Sequence, residues 1–384
     1  MLSAAQLSLA DPLPTWIAKS LVVPSVLVQA SAALTQPALE SLLSPHAVLA
    51  RASFRTPSKT LSLDALPFAV LSSLPPRLDE AALRRIVAEF PPKEPVDFWL
   101  QRGPRDENDS KAFAALNKFP WFHAFRRALF YFNAVETGET LQQPLAVVLA
   151  VRLDEPNAVN ALRALASEHA MPDLPRVYVV VGDDPLPAEL AAADLTPLVR
   201  VLVSDPRGGA TLLLQTVLDL TEKRVFALTA VAAKMKSLRN ALKSWFGGRP
   251  EPASAQQAAI DAAKVRALAD ILFCLRDYDG ALQTYAVLRD DYIASELHLR
   301  AGSAAEMMAM CSMMTARDRL AEFVERAVEA YGRAKQTHPA LAPRLLTRVA
   351  LLLVDAGDKP SLLRVLLKAS SGETVRFSRP TRQG

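Results

Sequence analysis

Three aspartates and a glycine pair are the strongest candidates for chemistry in this chain of 384 residues. Asp183, Asp184 and Asp205 follow β-branched runs that predict parallel strands, and enzymes with such sheets place their sites at the carboxyl ends of the strands. The stretch SDPRGGATLL (204–213) follows one of these strands and opens a predicted helix, so its amides could bind a phosphate. It lacks the spacing and the lysine of G-x-x-x-x-G-K-[ST], and G-x-G-x-x-G is also absent. We therefore favour a turn that starts a helix, with a nucleotide site as the alternative.

The remaining reactive side chains are scattered. The two cysteines, Cys274 and Cys311, have no C-x-x-C or Cys/His spacing, which predicts buried thiols in a reducing compartment. No H-E-x-x-H or G-x-S-x-G surrounds the five histidines, which are His46, His123, His169, His298 and His338. The sequence thus nominates no catalytic, cofactor-binding or metal-binding residue, and we expect neither an enzyme nor a cofactor.

The elements that would position these residues are expected to differ before and after Pro206. Of the 28 prolines in the chain, 22 lie at or before that position. Before that point, short β-branched runs at 20–31, 144–153, 176–184 and 199–205 predict buried strands. A helix predicted at 156–169 completes a βαβ unit and hence a largely parallel sheet. Further helices are predicted at 79–90 and in the aromatic-rich segment 117–132, where the aromatic side chains favour packing over a ligand site.

After Pro206 the spacing becomes helical. Residues 259–293 have the small and large residues of a tetratricopeptide-like (TPR-like) hairpin, and more helices are predicted at about 303–314, 317–336, 340–356 and 360–369. The fold class is therefore an α/β N-terminal half with a largely parallel sheet, followed by an all-α TPR-like solenoid. The expected divisions are an α/β domain (1–206), a helical connector (207–250), a linker (251–258) and an incomplete solenoid (259–384).

Neither end of the chain predicts a membrane span. The N-terminus has no basic segment of the kind that begins a secretory signal, and prolines interrupt the longest early uncharged run, 20–39. The last helices have no polar capping repeat, so we expect the solenoid to continue in a longer protein or on a partner.

The connector ends in a basic amphipathic helix. From Lys223 to Arg249 there are seven basic residues and no acidic residue. An apolar stripe faces a basic side, and Gly247 and Gly248 end the helix. The residues predicted to bind a membrane are Met235, Lys236, Leu238, Arg239, Leu242, Lys243, Trp245 and Phe246. A surface helix packed on the solenoid is the alternative, and nucleic acid is not expected because no aromatic platform accompanies the charge.

Three blocks in this half are similar to a known family: KMKSLRNALKSWFGG, KVRALADILFCLRDYDGALQTYAVLRDDY and LRAGSAAEMMAM. In that order they resemble the middle of the TRAPP III-specific subunit family, the eighth mammalian TRAPP subunit and the yeast 85-kDa-type subunit, over about 230–370. The resemblance implies a non-catalytic scaffold that joins other TRAPP subunits. It further implies that the core of the complex acts as a guanine nucleotide exchange factor for a Rab1/Ypt1-type GTPase. This chain would contact that GTPase only indirectly, through the complex.

The same resemblance implies a cytoplasmic protein, peripheral on Golgi or pre-autophagosomal membranes, whose amphipathic helix meets an anionic membrane surface. Two other functions stay open at this point. One is a nucleotide-dependent α/β enzyme with a helical appendage, and the other is a soluble TPR-like adaptor without membrane contact.

Overall fold

The computed structural model describes residues 24–31, 34, 53–63, 69–71, 144–168, 174–245, 252–315, 319–334 and 349, with the backbone alone for 69–71, 206–207, 236–245 and 252–256. These residues belong to two compact units, one ending at Thr284 and the other beginning at Tyr285. The described strands are β1 (Ser25–Ala30), β2 (Ser53–Arg55), β3 (Thr60–Ser62), β4 (Ala69–Leu71), β5 (Ala146–Arg152), β6 (Arg176–Val181) and β7 (Leu198–Val201). The described helices are α1 (Ala158–Glu168), α2 (Ala188–Ala192), α3 (Pro206–Trp245), α4 (Pro252–Cys274), α5 (Tyr278–Ala294), α6 (His298–Met314) and α7 (Leu320–Ala334).

Five strands of the first unit form one parallel sheet in the order β4-β1-β5-β6-β7. The central strand β5 is buried from Ala146 to Val151, which explains its continuous apolar run, because a covered parallel strand needs apolar side chains on both faces. Helix α1 packs on β5, and its Leu162 lies in a core cluster with Leu149 and Val151. The predicted βαβ unit and parallel sheet are confirmed.

A small antiparallel hairpin, β2–β3, was not predicted. Phe54 pairs with Leu61 and is fully buried. The neighbouring Arg55 forms an ion pair with Glu222 of α3 at 2.7 Å between Nε and Oε1. Three-residue strands are too short to show a periodicity, so no sequence pattern indicated this hairpin.

Helix α3 begins directly after β7 and packs against it. Its buried face repeats every three or four residues, at Ala210, Leu213, Leu214, Val217, Leu218, Thr221, Val225 and Leu228. Gly209 makes the close approach possible, because a Cβ there would lie 2.6 Å from Val201 Cγ1. The helix predicted to open at 204–213 is therefore confirmed, and one of its glycines serves helix–strand packing.

Helices α4 and α5 are joined by a short turn at the predicted position. The turn places Arg276 at φ 64°, and the amide of Asp277 donates to the carbonyl of Leu272 at 2.8 Å, which is the Schellman pattern of a helix C-terminus. Asp277, only 1% exposed, then caps α5: its Oδ1 accepts from the Gly280 amide at 3.1 Å and lies 2.6 Å from Lys59 Nζ. The loop of the β2–β3 hairpin thus contacts the turn between α4 and α5.

The second unit is built around α6, in which every residue from Ala301 to Met313 is buried. Helix α7 packs along it, and the hydroxyl of Tyr331 donates to Glu306 Oε2 at 2.7 Å. A helix buried on all sides is part of a core, which fits its run of alanine and methionine. The described residues confirm a helical region after the sheet.

One expectation was wrong. Residues 252–258, predicted as linker, form the first turns of α4. Pro252 stands at the first helical position, where its missing N–H costs nothing, and the alanines and glutamines that follow favour helix. The helices predicted at 79–90, 117–132 and 360–369 lie outside the described residues, as does 340–356 apart from Val349.

Candidate functional site

Of the aspartates at the strand ends, Asp183 holds two loops of the sheet together. Asp183 Oδ1 accepts hydrogen bonds from the amide of Ser204 at 2.9 Å and from its hydroxyl at 2.7 Å. The amide hydrogen bond of Ser204 is the largest cause that holds the pKa of the Asp183 carboxyl below its usual range. This carboxylate links the loop after β6 to the loop after β7, a structural role, while Asp184 is exposed.

The glycine pair of SDPRGGATLL is already engaged at the start of α3. Asp205 Oδ1 accepts from the amide of Gly208 at 3.0 Å, so the carboxylate caps the helix where a phosphate would bind. A Cβ on Gly208 would lie 2.9 Å from Asp205 Cγ, which explains the glycine. The favoured interpretation, a turn with a capped helix start, fits this geometry.

The crevice of a doubly wound sheet lies where the strand order reverses, here between β1 and β5. Ser31, just after β1, donates from its hydroxyl to Glu155 Oε2 at 2.5 Å and from its amide to the carbonyl of Ala150 at 3.0 Å. These two bonds join the chain after β1 to β5 and to the segment that follows β5. The position that holds nucleotides in other sheets of this type is occupied here by protein contacts.

Both cysteines are buried, as predicted, and no disulfide joins them. Burial raises the pKa of the Cys274 thiol, and the nearby Asp270 carboxylate raises it further. A thiol held in its neutral form is a poor nucleophile and a poor metal ligand. In the described part of the chain, no group of three or more His, Cys, Asp or Glu side chains could hold a metal ion.

The basic amphipathic helix is the C-terminal part of α3, and its apolar stripe changes environment along the axis. Leu228 is 8% exposed and packed within the unit. Val231 and Met235 are half-buried, and Lys234 is exposed. The stripe therefore continues the face that docks α3 on the sheet. Its side chains change from buried to half-buried after Leu228.

Of the eight residues predicted to bind a membrane, the structure describes the side chain of one and the helical backbone alone of six more. Met235 is half-buried. The backbone is helical through Lys236, Leu238, Arg239, Leu242, Lys243 and Trp245, while Phe246 lies outside the described residues. The helix is thus present over the predicted segment, and its tryptophan stands at the last helical position.

Helix α4 runs back along α3. Arg224 of α3 lines a small cleft together with Ala267, Asp270 and Cys274 of α4. Arg224 lies 21 residues before the end of α3 and Asp270 lies 18 residues after the start of α4, so the two helices are antiparallel. Asp270 also accepts from Arg266 Nε at 2.9 Å, a buried ion pair that the sequence did not suggest as a feature of this interface.

None of the helices within the described ranges combines the length and the apolar character that crossing a bilayer requires.

Comparison with protein-family models gives a match to TRAPPC-Trs85, the ER-Golgi trafficking TRAPP I complex 85 kDa subunit, over residues 19–224 and 222–356. No match is found among curated proteins. The match includes the α/β half, where the blocks that first suggested the family are absent. The chain therefore belongs to the TRAPPC-Trs85 family, the 85 kDa subunits of a TRAPP complex in ER-Golgi trafficking.

Proposed function

We propose that this chain is a non-catalytic scaffold and tethering subunit of a TRAPP III-type complex, and that the end of α3 helps to hold that complex on Golgi or pre-autophagosomal membranes. The complex would then bring a guanine nucleotide exchange factor to a Rab1/Ypt1-type GTPase. The observation that carries this proposal is the change along one apolar stripe, from Leu228, which is buried, to Met235, which is half-buried, in a segment whose charged residues are all basic.

The size of the attraction supports a lipid partner. Lys236, Arg239 and Lys243 would each contribute roughly 1 kcal/mol near an anionic lipid surface. Residues 235–245 form about three turns of helix, roughly 16 Å, which suits a helix lying in the interface plane. Trp245 and Phe246 add apolar area at the end, where an interfacial aromatic pair inserts best.

Flotation of the full chain with phosphatidylserine vesicles tests the proposal. Trp245→Ser with Phe246→Ser should lower binding even at low salt, because the change removes inserted apolar area. Reversal of Lys236, Arg239 and Lys243 to glutamate should abolish binding, and the unmodified protein should bind less as salt shortens the Debye length.

A matched change inside the same stripe separates lipid contact from packing. Leu228→Ser should lower the melting temperature, since Leu228 is buried, whereas the Trp245/Phe246 double change should not. If the double change instead lowers the melting temperature by several degrees and leaves flotation unchanged, the stripe is core and the chain is a soluble adaptor.

The non-catalytic part of the proposal has its own test. Asp205 caps α3 and Ser31 bonds Glu155, so both places where the sheet could hold a nucleotide already have protein partners. We expect calorimetry to give no stoichiometric binding of ATP or GTP. Micromolar binding that is lost in a Gly208→Ala, Gly209→Ala variant would favour the nucleotide-dependent enzyme.

Membership of the complex predicts association with other TRAPP subunits. We propose that the α/β domain up to about residue 206 and the solenoid from about 259 present separate surfaces to them. Affinity purification of the full chain followed by mass spectrometry should recover TRAPP subunits. Their loss on deletion of 285–384, which leaves the first unit whole, with retention on charge reversal in the helix, would assign assembly to the solenoid.

A further inference from the structure

The loop of the β2–β3 hairpin, residues 56–59, carries an exposed serine on a hydrogen-bonded backbone. The hydroxyl of Thr56 donates to the carbonyl of Lys59 at 2.9 Å and accepts from the Lys59 amide at 3.1 Å. The Thr56 amide also donates to the carbonyl of Lys59, at 2.8 Å. Ser58 lies between these bonded residues and is exposed, with its Oγ 3.2 Å from Thr56 Oγ1. The closed loop therefore presents Ser58 to solvent.

Arg55, three residues before Ser58, offers a recognition group to a protein kinase. Its side chain is 72% exposed, although its Nε lies 2.7 Å from Glu222 Oε1. An ion pair as exposed as this one contributes little to stability, so the guanidinium can exchange Glu222 for the carboxylates of an enzyme. Kinases select substrates by charge patterns, and an arginine at this spacing suits the arginine-directed class. The stretch RTPS (55–58) has that pattern.

Lys59, the residue after the serine, forms the ion pair that fastens the loop to the turn between α4 and α5. Its Nζ lies 2.6 Å from Asp277 Oδ1 and 3.9 Å from Asp279 Oδ2. Asp277 is 1% exposed, and its Oδ2 is buried without a hydrogen-bond partner among the described residues. A buried carboxylate that loses its cation is strongly unfavourable, so the contact between loop and turn depends on where this ammonium lies.

A phosphate on Ser58 would compete for the same ammonium. Phosphoserine carries roughly 1.5 to 2 negative charges at pH 7 and three acceptor oxygens. Lys59 is already shared by two carboxylates, so a third anion on the adjacent residue would draw its flexible side chain away and would repel Asp277 and Asp279. The hairpin would then leave the turn, and Phe54 of β2, now fully buried, would become exposed.

We propose that Ser58 is a phosphorylation site for an arginine-directed protein kinase, and that its phosphate releases the β2–β3 hairpin from the turn between α4 and α5. In this reaction Ser58 Oγ forms a bond to the γ-phosphorus of ATP, the bond from that phosphorus to the β–γ bridging oxygen breaks, and ADP leaves. The hydroxyl proton passes to the catalytic base of the kinase. The site is independent of the membrane contact proposed for α3.

The first experiment asks whether the native chain accepts a phosphate at this position. The full chain is incubated with ATP and a calmodulin-dependent protein kinase, which is arginine-directed, and its peptides are quantified by mass spectrometry. Ser58 should be modified, and Arg55→Ala should lower the rate about tenfold through the loss of one charge-assisted contact. Thr60 is the matched control, because it is exposed in the same hairpin with no arginine three residues before it, and it should stay unmodified.

The second experiment measures the release by hydrogen exchange at the Gly280 amide, which donates to Asp277 Oδ1 at 3.1 Å. Phosphorylation should speed this exchange and lower the melting temperature by several degrees, because the carboxylate loses its cation. Lys59→Ala should reproduce both changes without phosphate, whereas Lys59→Arg, which keeps the charge, should not. Phosphorylation of the Lys59→Ala variant should add little, since the two changes act on one ion pair.

The two experiments separate the site from its effect. If Ser58 of the native chain stays unmodified, the folded loop is closed to the kinase and the assignment of the site is wrong. If Ser58 is modified and exchange at Gly280 is unchanged, Lys59 stays on Asp277 and the release is wrong. An equally large effect of the phosphate in the Lys59→Ala variant would also contradict the release, because the phosphate would then act through other groups.

Discussion

Replacement of Gly302 by alanine tests the packing of the second unit most directly. A Cβ at this position would lie 2.5 Å from Tyr331 Cε1 and 3.0 Å from its Cγ. Carbon atoms in contact normally lie about 3.5–4.0 Å apart, so the ring would have to move by about 1 Å. Tyr331 is fully buried, and its hydroxyl is bonded to Glu306 at 2.7 Å, so the ring cannot move without lengthening that bond.

The expected magnitude follows from two opposed effects. Overpacking of this kind costs about 1–3 kcal/mol, whereas alanine in place of a helical glycine stabilises by about 1 kcal/mol. Gly332 of α7 is the control, because a Cβ there would have no neighbour within 4 Å. Gly332→Ala should therefore stabilise by about 0.5–1 kcal/mol, and Gly302→Ala should be less stable than that control by about 1–3 kcal/mol.

Scanning calorimetry of the full chain measures the difference, since 1 kcal/mol shifts the melting temperature of a unit of 150–250 residues by about 2–4 °C. Equal melting temperatures for the two alanine variants would refute the packing of Tyr331 against Gly302. In that case the ring of Tyr331 would be able to move away from the added Cβ at little cost in free energy.

Three further predictions follow from the first unit. Arg276→Gly should stabilise by roughly 0.5–1 kcal/mol in urea unfolding, because Arg276 sits at φ 64° in a helix-ending turn; a loss of stability would mean that its side chain has an essential contact. Asp183→Asn should lower the melting temperature at neutral pH and progressively less in acid. The hydrogen-bonded carboxylate, whose pKa is lowered on folding, stabilises the fold above its unfolded pKa near 3.8 and loses that contribution as pH falls through the folded value, so a gap independent of pH would contradict it. Native protein at pH 8 should resist alkylation at Cys274, since burial raises the pKa of that thiol; rapid modification, detected by mass spectrometry of the peptide, would show that α4 opens.

The sequence predicted the parts of the fold in which a long regular pattern meets a single environment. Strand β5 is covered on both faces, so its uninterrupted apolar run had only one good interpretation at that length. The β2–β3 hairpin has strands of three residues, and the ion pairs that hold it, Arg55 to Glu222 and Lys59 to Asp277, join positions more than 150 residues apart. Contacts of that kind leave no local signal.

The candidate site shows a different limit. An amphipathic stripe records that one face of a helix avoids water, and it does not record what covers that face. On α3 the same spacing serves Leu213, which is buried in the unit, and Met235, which is half-buried. The prediction of a linker at 251–258 was wrong for a related reason. A proline ends a helix from an interior position but can start one at the first helical position, which is where Pro252 stands.

The unbroken helix α3 also fixes a rotational phase between the sheet and the C-terminal end of the helix at Trp245. Successive residues turn by about 100°, so the azimuth of the stripe at Trp245 is determined by its azimuth at Leu213. Insertion of two residues near Ala233 would turn the end of α3 by about 200° relative to the sheet, whereas four inserted residues would turn it by only about 40° beyond a full turn. A bilayer bound at the end would thereby hold the α/β unit in one angular orientation, and the register of this helix would set which edge of the sheet faces the membrane.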